Sequence, residues 1–132
     1  MFFATFVDKY QPAVIIKFNA KCGETDNLQF EEYLNKFQTL YEQNETFNVL
    51  LDGRDVESFP ITYAMKHAGF LLKNKELTKK YIKKSAIILN NQTLKNILDI
   101  VFSIYTPESD MIITENFREG LIHVLDQQES KG

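Results

Sequence analysis

Tryptophan is absent from this chain, cysteine occurs once, histidine twice, proline three times and glycine five times. The single cysteine, Cys22, rules out an internal disulfide, and one cysteine with two histidines is a poor set from which to build a structural zinc site. No metal and no cofactor is therefore expected. No apolar run approaches the roughly 18 residues that a membrane span needs. The opening MFFATFVDKYQP lacks the basic segment and cleavage site of a signal peptide, so the expected location is intracellular, in the cytoplasm. Also missing are a G-x-G-x-x-G turn, a P-loop and a G-x-S-x-G nucleophile elbow, which removes the commonest signatures of nucleotide binding and serine hydrolysis.

What is present is an ordinary globular composition. With 44% hydrophobic and 25% charged residues, the chain can bury a core rather than stay disordered, and 132 residues leave room for one domain. Phenylalanine and tyrosine, 11 and 6 in number, stand in for the missing tryptophan and predict a phenylalanine-rich core.

FATFVDKY and AVIIKFN read as two short strands of an opening hairpin, and the second has the unbroken apolar centre of a strand covered on both faces. Asp26, followed three residues later by Gln29, can cap a helix in which Phe30, Leu34, Phe37 and Tyr41 recur at helical spacing. FNVLLD is the next strand. A helix starting at Pro60 follows, with Ile61, Ala64, Met65, Ala68 and Leu72 as its expected inner face. SAIILN is a strand; Asn90 or Asn91 caps a helix striped by Leu94, Ile97, Leu98, Val101 and Tyr105. DMIIT and a helix capped at Thr114, with Phe117, Leu121, Val124 and Leu125 inward, complete the chain.

The order β-β-α-β-α-β-α-β-α predicts a single compact α/β domain over residues 1–126, with a polar tail over 127–132. Right-handed crossovers make the sheet mostly parallel, with an antiparallel first strand and helices on both faces.

This order, with the phrases NVLLDGRDV, AIILNNQTLKNILDIVFSIY and MIITENFREGLIHVL, resembles the SpoIIAA-like group of folds, which includes STAS domains and is similar to the Sec14 (CRAL-TRIO) core. The resemblance implies a non-catalytic regulatory or protein-interaction module. Its alternative implication is a small lipid-binding or membrane-surface protein. In STAS regulators a hydroxyl at the start of the helix after this strand accepts phosphate. The matching segment is Pro60-Ile61-Thr62-Tyr63, which lacks the acidic residue and the glycine of that pattern; Thr62, with Ser58 nearby, would supply the hydroxyl. Both also fit as ordinary first-turn and capping residues.

The acidic turn Asp52-Gly53-Arg54-Asp55 invites a catalytic reading, but Asp52, Asp55 and Glu57 have no histidine near them in sequence. A response-regulator comparison also fails, because FNAKCG and IITENF, which end the flanking strands, hold neither the acidic pair nor the lysine that such receivers need. The turn reads as a joint, with Gly53 allowing a sharp bend and an aspartate satisfying loop amides. His67 and His123 are expected at the surface or its boundary, and Cys22 at a helix entrance where a dipole could lower its pKa. No catalytic residue is expected, and the chain is not read as an enzyme.

Charge placement is the anomaly. On a chain of net charge −3, residues 73–84 (KNKELTKKYIKK) hold six lysines, Lys73, Lys75, Lys79, Lys80, Lys83 and Lys84, against one glutamate. The bland account is a solvated helix end and loop. The functional account is a contact with an acidic protein partner or anionic lipid; nucleic acid fits poorly, because the run has no arginine and one aromatic residue. An exposed first strand carrying Phe2, Phe3, Phe6 and Tyr10 suggests a homodimer through that edge, with Phe70, Phe102 or Tyr105 as a neighbouring apolar face.

Overall fold

Every strand of the sheet lies beside its neighbour in sequence: the five strands are arranged β1-β2-β3-β4-β5. A computed structural model describes residues 2–107 and 109–125, so the tail expected over 127–132 lies outside the described residues. β1 (Ala4–Tyr10) pairs antiparallel with β2 (Ala13–Phe18), with Ala4 opposite Phe18. β3 (Phe47–Asp52), β4 (Ile82–Ile88) and β5 (Asp110–Thr114) then add in parallel. β1 and β5 are the edges. The helices are α1 (Asn27–Tyr41), α2 (Ile61–Lys73), α3 (Lys75–Tyr81), α4 (Gln92–Ile104) and α5 (Phe117–Leu125).

A sheet that grows in one direction through crossovers of one hand puts its crossover helices on one face. Strand alternation follows from this. Val14, Ile16, Phe18, Phe47, Val49 and Ile87 point into the larger core, with Phe30, Tyr33, Phe37 and Tyr41 of α1 above them. Ala13, Ile15, Leu50, Ala86 and Ile88 point the other way, onto Val124 of α5. Both faces are covered, but the four helices of the crossovers load one and a nine-residue helix covers the other. The larger core is aromatic as expected: Phe3 meets Phe18, Phe30 and Phe59 edge-on at centroid distances of 5.9, 5.0 and 5.5 Å.

The caps show how local chemistry sets boundaries. Asp26 accepts from Gln29 N–H while Gln29 Oε1 accepts from Asp26 N–H, a reciprocal box that starts α1. Asn91 caps α4 by accepting from Leu94 N–H. For α5 the cap is Asn116, which accepts from Glu119 N–H, and not Thr114, whose hydroxyl instead binds Glu119 and accepts from Asn116 N–H.

Three further expectations are corrected. The helix after Pro60 breaks at Asn74, whose side chain donates to Phe70 C=O, so the lysine run spans the last residue of α2, all of α3 and the start of β4 rather than a helix end and loop. β4 accordingly begins at Ile82, three residues before SAIILN. On α2 the buried face is Ala64, His67 and Ala68, while Ile61, Met65 and Leu72 are exposed. Small residues there let α2 press against Val101 and Ile97 of α4, a constraint that outweighs the hydrophobicity of the larger side chains. Finally, Phe3, just before β1, is buried, and so is Tyr105; neither contributes to an open face.

Candidate functional site

The space between the sheet and the α2–α4 pair is set by side-chain length. Val49, Leu51, Ser85 and Ile87 form the floor, Ala64, His67 and Leu71 of α2 one wall, and Leu94, Leu98 and Val101 of α4 the other. Alanine on the wall and serine on the floor leave a gap that their neighbours do not fill. The result is a cavity of about 140 Å³, which runs from Gly53 and Leu89 at the C-terminal ends of the strands to Ile82 and Ser109 at the N-terminal ends.

Its few polar groups are already engaged. The Tyr33 hydroxyl lies 2.6 Å from His67 Nε2, the Tyr41 hydroxyl 2.6 Å from Thr78 Oγ1, and Ser85 Oγ 3.1 Å from Ser109 Oγ. Among the described residues no buried side-chain polar atom lacks a partner. A cavity of this kind rewards apolar contact and offers little to orient a charged or strongly polar molecule.

The groups that could do chemistry are held in unreactive forms or far apart. His67 is buried, not superficial as its place in the sequence suggested, and desolvation pushes its pKa down to about 4, so it is neutral at physiological pH. His123 is on the opposite face of the sheet, near Asp110. Cys22 lies in a short 3-10 turn (Cys22–Glu24), fully buried, and faces the carbonyls of Asn19 and Phe3 at 3.1 and 3.6 Å. Burial pushes its thiol up to about 12, the opposite of the lowering that a helix entrance suggested.

The acidic turn is a joint with a definite construction. Asp52 is buried at the end of β3 and accepts from Arg54 Nε and Nη2, both at 2.9 Å, and from Arg54 N–H at 3.1 Å. That hydrogen bonding raises the Arg54 pKa. The guanidinium also lies 4.1 Å above the Phe117 ring, tying the turn to the start of α5. Asp55 is exposed and pairs with Lys17 at 2.9 Å, which holds its carboxyl below the usual range. Gly53 needs no left-handed backbone. A Cβ there would come within 3.1 Å of Ile88 C=O, so glycine lets β3 and β4 approach while Gly53 N–H donates to that carbonyl.

Ser58 and Thr62 are both exposed, in the segment between β3 and α2 and on the first turn of α2. No side chain caps α2; Pro60 C=O takes the Tyr63 and Ala64 N–H groups. The six lysines divide. Lys73, Lys75, Lys79 and Lys80 are exposed on α2 and α3, whereas strand alternation turns Lys84 toward the α5 face and leaves Lys83 exposed. No helix among the described residues is long and apolar enough to cross a membrane. Compared with protein-family models, with curated proteins and with solved structures, the chain gives no significant match.

Proposed function

We propose that this protein is a binding domain of SpoIIAA-like type whose ligand is a small apolar molecule or a short hydrocarbon segment, held between the sheet and the α2–α4 pair. The cavity of about 140 Å³ carries the reading. Apolar cavities of about 150 Å³ stay dry and take up benzene-sized molecules, whereas a complete lipid needs roughly several hundred Å³. Of the two implications of the resemblance, this supports the lipid-binding type in reduced form. Binding rather than turnover is supported by the neutral, buried His67 and the raised Cys22 thiol.

Native mass spectrometry of the purified protein would show a retained apolar ligand, and the melting temperature should rise on titration with benzene or 1-octanol. An Ala64→Leu variant, which fills the wall, should lose that response while staying folded. Equal responses in both proteins would contradict the reading.

A regulatory module of STAS type is the second reading, favoured by the exposure of Ser58 and Thr62 between β3 and α2. The intact mass of the protein isolated from its native cells tests it. A phosphate mapped to either residue supports a switch, and an unmodified chain in every growth condition speaks against one.

A further inference from the structure

The outer surface of α2 combines an apolar stripe with flanking lysines. Ile61, Met65 and Leu72 lie within one narrow stripe of the helix by their spacing and are 47%, 50% and 50% exposed. Lys66 and Lys73, each one residue beyond Met65 and Leu72 and so about 100° further round the helix, flank that stripe, and α3, which follows directly, carries exposed Lys75, Lys79 and Lys80. Across the α2–α4 contact, Ile97 packs on the Ala64–Ala68 cluster, and helical spacing sets Ile100 and Ile104 on that same side of α4; Ile104 is 37% exposed. The exposed acidic residues described on these helices are Glu76 and Asp99, and Lys66 Nζ also donates to Asn27 Oδ1 at 2.9 Å.

We infer that this face, the α2–α4 seam with its lysine edge, docks on an anionic lipid bilayer. Apolar side chains flanked by lysines match the acyl boundary and the acidic headgroups of such a surface together, and no interior pocket is required. Charge argues against the competing occupant. A symmetric second copy would bring the same lysine-rich edge near itself, on a surface where repulsion extends over about 10 Å at 0.1 M salt. The inference stands apart from the apolar cavity and can fail without it.

Co-sedimentation of the full chain with vesicles tests it. The protein should pellet with phosphatidylcholine vesicles containing about one third phosphatidylserine, and not with phosphatidylcholine alone; high salt should release it. Met65→Glu with Leu72→Glu should lower binding at least tenfold while circular dichroism and melting temperature stay near those of the parent, since both positions are exposed. Replacing Lys66, Lys73, Lys79 and Lys80 by Gln should weaken binding and flatten its salt dependence. The inference is overturned by absence of binding, by equal binding to neutral vesicles, or by full binding of the glutamate variant. It is likewise overturned by a dimer that the glutamates dissociate in the absence of vesicle binding, since the face would then belong to a second copy.

Discussion

The Tyr33 hydroxyl meets His67 Nε2 at 2.6 Å, linking α1 to α2 through the middle of the aromatic core. Both residues are buried: Tyr33 is 2% exposed and His67 8%. The imidazole also packs against the rings of Tyr33, Phe37 and Phe70 at 5.4, 6.1 and 6.3 Å, so a proton on it would be unsolvated.

The burial of His67 makes folding acid-sensitive. The folded pKa of about 4 lies below the usual 6.5, so between these values the unfolded chain takes up a proton that the native state refuses. The contribution is intact above pH 6.5, declines as pH falls, and costs about 3 kcal/mol by pH 4. Denaturant titrations across pH 4 to 7 on the parent and a His67→Phe variant check this. The variant should show the shallower dependence, and parallel curves would assign the acid sensitivity to carboxylates instead.

At the Asp52 joint, Asp52→Ala and Arg54→Ala should each destabilise the fold by about 1–3 kcal/mol, the first by stranding loop and guanidinium donors and the second by leaving a buried carboxylate with less compensation. Asp55→Ala should stay within about 0.5 kcal/mol, because its pair with Lys17 is exposed. Urea denaturation of the three variants measures the contrast. If Asp55→Ala proved the costliest, the turn would have a role beyond leading β3 toward α2 and bracing it against α5.

Gly120 lets α5 sit close against the sheet. A Cβ there would overlap Ile88 Cδ1 and lie 3.4 Å from both Ala86 Cβ and Leu50 Cδ1. Although Gly→Ala inside a helix ordinarily stabilises by about 1 kcal/mol, here it should destabilise by about 1–3 kcal/mol through overpacking. Adding Ile88→Val should recover part of that loss. A double variant no better than the sum of the singles would show that Ile88 is not the obstacle.

The elements whose signals are local were legible in the sequence. The Asp26–Gln29 box, the Asn91 cap and the unbroken AVIIKF and FNVLLD strands state their own structure, and their order dictates a mixed sheet with one antiparallel edge. The features that depend on tertiary packing were hidden. Hydrophobic periodicity on α2 pointed to Ile61, Ala64, Met65, Ala68 and Leu72, yet the need to seat α2 against α4 kept Ala64 and Ala68 inward beside His67 and left the three larger side chains exposed. His67 therefore read as superficial. The cavity has no sequence signature beyond the small residues Ala64 and Ser85 at inward positions, since a void is the difference between side-chain volumes from several separate segments.

The binding account is tested most directly by methyl NMR of the isoleucine, leucine and valine side chains during titration with benzene. It predicts saturable shifts confined to cavity-lining methyls such as Val49, Ile87, Leu94, Leu98 and Val101, with Ile15 and Leu50 on the far sheet face unmoved, and loss of the shifts in Ala64→Leu. Shifts spread over both faces, or unchanged in the filled variant, would contradict it.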